Sequence, residues 1–306
     1  MKGRAVTSIM GTGFVVVDRV FSEGIERGAW LGGSCGNVLL SLAMLGHTAA
    51  PVIAIGDDPA GMHIFNQFRD AGASTEFIRR AREQSTPILV QVNRRDVGSH
   101  EYHTVSPETG LPLPKYSPIE VADLNVARNS LCRCSAFYAD RVSPVILEAM
   151  RAVRDAGGLV FFEPSEVSDD DQFARAARLS SITKASSDRV SASKLQAAVG
   201  PEGFALTTRG VEGLGLWHRG SETLYPATPA PFVVDTSGAG DMLTVGMLNA
   251  LLKGGPSRAS RLRYPSDIHE GILAGQRLAA ANCAFEGARG LFRELGAEAA
   301  RSILGG

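Results

Sequence analysis

The chain has 306 residues, of which 44% are hydrophobic and 21% are charged, and its formal net charge at pH 7 is −1. This balance is typical of a globular protein and provides no general field for nucleic acid or an anionic membrane, so we predict neither partner. The four cysteines form no disulfide or metal pattern. The first apolar run, residues 9–20, is too short and too rich in glycine for a membrane span, and no cleavage site of small residues follows it. We therefore expect it to be neither a span nor a signal peptide, and we expect a cytoplasmic protein.

Short apolar runs alternate with amphipathic segments along most of the chain. The predicted strands, in chain order, are 7–18, 50–55, 75–78, 135–139, 159–163, 182–186 and 204–208, with a hairpin at 213–218 and 222–226. The predicted helices are 37–45, 61–71, 144–156, 172–179, 191–199, 242–252, 267–288 and 295–304, with Asp267 as the N-cap of the 267–288 helix. This alternation predicts an α/β fold with a mostly parallel central sheet, flanked by helices on both faces.

One pair of predicted strands lies outside this alternation. The segments 87–93 and 99–105 are predicted to pair through the polar turn at 94–98. The proline-rich segment 107–118 follows them, and we interpret it as a surface excursion.

The strongest chemical signal is the glycine-rich turn at residues 238–240. It leads from an apolar strand end into an apolar helix, so the N–H groups of Gly238, Ala239 and Gly240 have no acceptor within the helix. These groups and the helix dipole form a site for an anion. Asp241 lies at the mouth of this site and would repel a bound anion. It is either a simple helix cap or a base that removes a proton from a nucleophile attacking the anion.

A longer string around this turn resembles a known family. Residues 235–241, Asp-Thr-Ser-Gly-Ala-Gly-Asp, resemble the second signature of the PfkB family of carbohydrate and nucleoside kinases. Residues 32–46 resemble its first signature, with a Gly-Gly turn, an Asn and an apolar helix ending in Leu-Gly. Residues 281–288 are similar to the helix and turn that flank the nucleotide. The chain is therefore identified as a member of this ribokinase-like superfamily.

The resemblance implies a single kinase domain over residues 1–306, with a small β-sheet lid formed by about 14–32 and 86–106. It implies an enzyme that transfers the γ-phosphate of ATP to a hydroxyl of a sugar or sugar-like molecule. Asp241 would be the base, and the 238–240 turn would be the anion hole. The residues implied to bind the acceptor are Asp18, Gly33, Asn37 and Glu163. The residues implied to bind the nucleotide are Ser186, Asp188, Thr208, Arg209, Gly210, Asn282 and Gly287.

The resemblance also implies cations and a second subunit. Mg²⁺ would accompany ATP and be held largely through water. Asp235 matches the family's monovalent-cation loop, with Gly287 and Arg289 on its far side, so K⁺ is a further candidate. An isolated small sheet with one apolar face favours pairing, and we predict a homodimer through the lid.

One segment departs from the family pattern. Many relatives carry Lys-Pro-Asn-x-x-Glu where this chain has Lys-Ala-Ser-Ser-Asp-Arg at 184–189. Ser186 therefore replaces the Asn and Arg189 replaces the Glu, and Asp188 could substitute one residue early. A nucleoside kinase of the same family and a non-catalytic sugar- or nucleotide-binding relative remain alternatives.

Overall fold

The computed structural model describes residues 8–94, 99–165, 167–253 and 262–305. Its strands are β1 (Ser8–Thr12), β2 (Val16–Ser22), β3 (Ile25–Gly32), β4 (Thr48–Pro51), β5 (Ile53–Gly56), β6 (Ile78–Ala81), β7 (Ile88–Arg94), β8 (Ser99–His103), β9 (Ala136–Ala139), β10 (Leu159–Phe162), β11 (Ile182–Ser186), β12 (Phe204–Thr208), β13 (Leu214–His218) and β14 (Ser221–Tyr225). Its helices are α1 (Ser34–Met44), α2 (Pro59–Asp70), α3 (Val121–Leu131), α4 (Pro144–Asp155), α5 (Asp170–Leu179), α6 (Ala192–Ala198), α7 (Ala239–Lys253), α8 (Ser266–Asn282) and α9 (Gly290–Gly305).

The largest sheet has eight strands in the order β14-β13-β12-β11-β10-β9-β1-β4. The strands from β12 to β4 in this order are parallel, and β13 and β14 add an antiparallel edge. Neighbouring residues of one strand face opposite sides of the sheet, as the period of two requires. Phe161 packs into the core under α1, α2, α7, α8 and α9, whereas Phe162 packs into the core under α3, α4, α5 and α6.

A second sheet is formed by four strands in the order β3-β2-β7-β8. Strands β2 and β7 are parallel, and each pairs with its outer neighbour in an antiparallel ladder. All four strands come from the two segments predicted to form the lid. The carboxyl end of β1 leads into this sheet, which places the sheet beside the edge where the parallel strands end.

The apolar run at 7–18 is not one strand, which corrects the prediction. Gly13 has a φ of 139°, and a Cβ at this position would lie 1.7 Å from Oδ1 of Asp140. The N–H of Phe14 donates to the same carboxylate oxygen at 2.7 Å. The chain therefore leaves the large sheet at this point, and Asp18 belongs to β2 of the small sheet instead of ending β1.

The run at 50–55 also divides. Strand β4 pairs with β1 in the large sheet, whereas β5 pairs with β6 in a separate two-stranded sheet. Between them, the N–H of Val52 donates to the carbonyl of Gly11 at 2.8 Å. The prediction of a single strand was wrong because an apolar run does not show which sheet each half joins.

Two predicted helix boundaries are also corrected. Helix α1 begins at Ser34 rather than at residue 37, and α8 ends at Asn282 rather than at residue 288. The Asn282 amide donates to the carbonyl of Ala288 at 3.3 Å, and its oxygen accepts the N–H of Leu291 at 3.1 Å. The chain turns around this side chain. Asp267 lies inside the first turn of α8, where its carboxylate accepts two preceding backbone N–H groups at 2.9 Å.

Candidate active site

Asp241 lies in the first turn of α7 and is buried. The amide of Asn37, on α1, donates to Oδ2 of Asp241 at 2.7 Å. Burial, reinforced by the charge of Glu163, raises the pKa of Asp241 to about 6, against the opposing effects of the Asn37 bond and the charge of Lys184. The carboxylate is therefore fixed in orientation and can accept a proton close to neutral pH.

The glycine turn brings the start of α7 against the chain between α8 and α9. Gly238 has a φ of 71°, and a Cβ there would lie 2.4 Å from the carbonyl oxygen of Ala288, so the position requires glycine. The N–H of Ala239 donates to the carbonyl of Thr236 at 3.2 Å, and the N–H of Met242 donates to the carbonyl of Gly238 at 2.8 Å. The three residues predicted to form the anion hole lie immediately before Asp241.

A buried ion pair between Lys184 and Glu163 contacts the backbone of this turn. Nζ of Lys184, on β11, bonds to Oε1 of Glu163 and donates to the carbonyl of Gly240 at 3.1 Å. Oε2 of Glu163 accepts the hydroxyl of Thr244 at 2.6 Å and that of Tyr138 at 3.3 Å. The network ties β9, β10, β11 and α7 together directly beneath the turn.

This network changes the interpretation of one predicted residue and adds another. Glu163 was expected to line the substrate pocket, but both of its carboxylate oxygens accept bonds from protein donors beneath the turn. Lys184 was not predicted as a site residue. Its signal in the sequence is a charge in an otherwise apolar strand, and such a lysine is buried only when it is paired.

A cavity of about 500 Å³ lies next to Asn37. The small sheet contributes Asp18, Trp30 and Gln91 to its wall, and the chain before α9 contributes Arg289. Its volume is in the range of small-molecule sites, and its wall combines apolar surface with a few polar groups. Of the predicted acceptor residues, Asp18 and Asn37 lie on this wall.

Asp18 approaches the backbone of β3 closely. A Cβ at Gly32 would lie 1.7 Å from Oδ2 of Asp18, and the N–H of Gly33 bonds to the same carboxylate. Burial is the main cause that raises the pKa of Asp18 to about 7, and the charge of Asp241 adds to it, while Arg289 opposes the shift. The negative charge of Asp241 therefore disfavours ionisation of Asp18.

Asp140, at the end of β9, is a further buried carboxylate that was not predicted. It accepts the N–H of Phe14 at 2.7 Å and the N–H of Cys35 at 3.0 Å, which joins the end of β1 to the first turn of α1. Burial raises its pKa to about 6. The available signal was an Asp directly after an apolar strand, the same signal that pointed to Asp18.

The predicted nucleotide-binding residues form two groups. Ser186 and Thr208 are register partners at the carboxyl ends of β11 and β12, and Asp188, Arg209 and Gly210 follow these strand ends. The hydroxyl of Ser186 donates to Asp188 at 3.3 Å, and Arg209 pairs with Glu222 at 2.9 Å.

The second group lies beside residues 235–237, which directly precede the glycine turn. The Asn282 amide donates to the carbonyl of Ser237 at 3.5 Å. The Asp235 carboxylate accepts the N–H groups of Ser237 and Gly287, each at 2.8 Å, and the amide of Gln91 at 3.3 Å. The arrangement fixes Asp235 between the small sheet and the turn before α9. Its role as a ligand of a monovalent cation stays a prediction.

The model of the pfkB family of carbohydrate kinases matches residues 26–290. The chain belongs to this family. A fructokinase of Escherichia coli is 29% identical over 252 residues, which cover 75% of this chain and 80% of the relative. An aminoimidazole riboside kinase of Salmonella typhimurium is 29% identical over 248 residues, which cover 72% of this chain and 73% of the relative.

Solved structures share the fold of this pfkB family chain. The aminoimidazole riboside kinase from Salmonella enterica, complexed with aminoimidazole riboside and an ATP analogue, has a TM-score of 0.74 at 23% identity and covers 97% of this chain and 100% of its own. The fructokinase with bound ATP from Xylella fastidiosa has a TM-score of 0.76 at 18% identity and covers 98% of this chain and 99% of its own. The predicted ribokinase-like fold class is confirmed. Within the described ranges, every helix is too short or too polar to cross a bilayer.

Proposed function

We propose that this chain transfers the γ-phosphate of ATP to a hydroxyl group of a sugar or sugar-like molecule. The observation that carries the proposal is Asp241, a buried carboxylate whose pKa is raised to about 6 and which lies between a glycine turn and a cavity walled by Asp18 and Asn37. The similarity to kinases named for fructose and for aminoimidazole riboside supports a sugar-bearing acceptor.

In the proposed reaction, Asp241 removes the proton of the acceptor hydroxyl as that oxygen attacks the γ-phosphorus of ATP. The bond between this phosphorus and the β–γ bridging oxygen breaks, and ADP leaves with that oxygen. The N–H groups of the 238–240 turn stabilise the negative charge that develops on the transferred group, and that of Ala239 would exchange its bond to the carbonyl of Thr236 for the phosphate. Asn37 holds the Asp241 carboxylate in a fixed orientation through its 2.7 Å bond. Asp18 and Asn37 accept hydrogen bonds from other hydroxyls of the acceptor and so position it.

ATP would lie across the carboxyl ends of β11 and β12, with Ser186, Asp188 and Thr208 on one side and Asn282 on the other. Mg²⁺ bound with the nucleotide would reduce the charge of its phosphates. The carboxylate proposed to interact with this Mg²⁺ is that of Asp188, the acidic residue of the 184–189 segment, which is exposed. A single carboxylate suits Mg²⁺, which keeps several of its waters in such sites. K⁺ next to Asp235 is a further part of the proposal.

We further propose a single kinase domain that acts in the cytoplasm as a homodimer paired through the small sheet. The support for pairing is apolar exposure on that sheet, where Ile25 is 58% exposed and Tyr102 is 51% exposed. Sedimentation of the purified protein tests the pairing, and a monomer at micromolar concentration would contradict it.

A nucleoside acceptor is the second candidate, because the riboside kinase is as similar in sequence as the fructokinase.

The test is ADP release from Mg-ATP with a panel of ketoses, aldoses, polyols and nucleosides. We expect turnover with at least one member, and Asp241→Asn should lower kcat about 10²–10⁴-fold for the loss of a general base. Asp155→Asn, an exposed change at the end of α4, is the matched control and should keep full activity. Turnover undiminished in Asp241→Asn would refute the assignment of the base. ATP binding without turnover on any member would favour the non-catalytic binding protein.

A further inference from the structure

The cavity next to Asn37, assigned to the acceptor and named the acceptor cavity, is lined at one end by two arginines. The proposed transfer step does not use these arginines. Arg289 directly precedes α9, Arg293 lies one helical turn further on, and both line the cavity together with the backbone of Gly287. The N–H groups of Gly290 and Leu291 at the start of α9 already have acceptors, in the carbonyl of Gly287 and the side-chain oxygen of Asn282, but the positive end of the helix dipole lies here. Three sources of positive potential therefore meet at this end of the cavity.

The guanidinium of Arg289 uses only part of its hydrogen-bonding capacity. Nη2 donates to the carbonyl of Leu31 at 3.1 Å and to the amide oxygen of Gln67 at 3.4 Å. Nε is buried and has no hydrogen-bond partner among the residues that the structure describes. A buried guanidinium donor without a partner is unfavourable, and it indicates that a ligand completes the set.

The neighbouring carboxylates do not cancel this charge by direct pairing. Of the acidic residues on the cavity wall, Asp70 pairs with Arg69 at 2.8 Å. Asp18 acts on Arg289 through space, and within the described ranges the two do not form a direct ion pair. The other arginine, Arg293, already pairs with Glu294 at 3.0 Å. Arg289 is thus the cation of the cavity that remains without a contacting carboxylate in the described part of the chain.

The same cavity wall also carries hydrogen-bond acceptors, in contrast to the donor of Arg289. Oδ1 of Asp18 and Oδ1 of Asn37 are also buried without partners among the described residues, and both are acceptors that suit hydroxyl donors. A neutral sugar would satisfy these two oxygens and would offer no anionic acceptor to Nε of Arg289. A molecule with hydroxyls at one end and an anionic group at the other would satisfy both ends of the cavity.

We propose that the acceptor substrate carries a carboxylate or phosphate group in addition to the hydroxyl that is phosphorylated, and that Arg289 binds this anionic group. The inference rests on the proposed kinase function and narrows its substrate from sugars in general to acidic sugars. The buried Nε of Arg289 suits either anion, because it offers a charge-assisted N–H donor to an oxygen of a carboxylate or of a phosphate.

The test compares matched pairs of acceptors by ADP release. Fructose is paired with fructose 6-phosphate to test the phosphate, and glucitol is paired with gluconate to test the carboxylate. For at least one pair, we expect the wild-type kcat/KM to be higher for the anionic member. Arg289→Gln should lower the ratio of anionic to neutral kcat/KM by about 10- to 150-fold, the loss expected for a hydrogen bond to a charged group. Arg289→Lys should lower the ratio less, since it keeps the charge and loses the planar fork.

The control is Arg151→Gln, an exposed arginine on α4, which should keep the wild-type ratio. Titration calorimetry of fructose 6-phosphate and gluconate without nucleotide supplies a second readout that needs no turnover. Thermal unfolding checks that each variant is folded, and Arg289→Lys replaces Arg289→Gln if the latter is not.

The outcomes separate this inference from the kinase proposal. Neutral members phosphorylated as efficiently as their anionic partners, or a ratio unchanged in the Arg289 variants, would overturn the anionic substrate and leave the kinase intact. Binding of an anionic compound that depends on Arg289, without turnover of any compound, would support the anion site and overturn the kinase proposal.

Discussion

Beneath the 238–240 turn the buried polar groups bond to one another, whereas along the acceptor cavity several of them do not. The ammonium of Lys184 contacts both Glu163 and the carbonyl of Gly240, and each oxygen of Glu163 has a protein donor. On the cavity wall, single buried atoms of Asp18, Asn37 and Arg289 have no partner among the described residues.

The difference indicates that the two regions have different roles, one in holding the turn and the other in binding a ligand. A fully partnered network holds the turn in one geometry whether or not ligands are bound, as electrostatic preorganisation requires. A wall with unpartnered donors and acceptors is less stable when it is empty, and a complementary ligand offsets that cost. Substitutions under the turn should therefore act first on folding, and substitutions on the wall should act first on binding.

The largest expected effect is on folding, from Lys184→Met. The change leaves the Glu163 carboxylate buried without its cation, and breaking a buried pair in this way costs about 3–5 kcal/mol of unfolding free energy. Urea unfolding of the purified protein measures the loss. The double variant Lys184→Met with Glu163→Gln should recover part of it, because no charge then remains buried. A loss of less than about 1 kcal/mol in Lys184→Met would contradict a supporting role for the network.

The second prediction concerns the pH dependence of turnover. Asp241 must be deprotonated to act as a base, and its pKa is raised to about 6, so kcat/KM should rise with pH through this region and fall about tenfold per unit below it. The pKa of Asp18 is raised to about 7, in the same pH region, so the observed limb contains the titration of both carboxylates. A flat profile from about pH 5 to pH 8 would contradict the assignment of the base.

The glycine turn, the cavity wall and the network beneath the turn differ in how far the sequence predicts them. The turn and Asp241 are adjacent in the sequence. A short motif therefore identifies both the backbone turn and the side chain that follows it. The fold class follows for a similar reason, since the alternation of strands and helices is visible along most of the chain. Asp18 and Asn37 were assigned by resemblance, and the structure places both on one wall.

The other features of the site depend on contacts between residues that are far apart in the sequence. No local pattern in the sequence predicts these contacts. Glu163 faces Lys184 only because β10 and β11 are neighbours in the sheet. Asp140 meets the backbone at Cys35 across more than a hundred residues of chain. The break at Gly13 depends on that same carboxylate, so an apolar run that looks continuous is divided by a residue far from it in sequence.

The smallest expected effect is on thermal stability, from Asp18→Asn. Because the folded-state pKa of Asp18 is raised from 3.8 to about 7, folding favours the protonated form. That contribution is complete below the unfolded pKa and is lost as pH rises through about 7, where the folded protein must hold a buried charge. Asparagine carries no such charge, so Tm of Asp18→Asn should exceed that of the wild type at alkaline pH.

The difference should shrink toward acidic pH, which distinguishes this cause from a general change in packing. Each kcal/mol gained corresponds to about 2–4 °C in a chain of comparable size, within reach of calorimetry. The exposed variant Asp155→Asn should show no pH-dependent difference from the wild type. If Asp18→Asn were less stable at alkaline pH, or shifted equally at every pH, the carboxylate would not be the unsatisfied group that the cavity wall implies. A stabilised variant that no longer turns over substrate would instead show that the wall keeps this charge for recognition, at a cost to the fold.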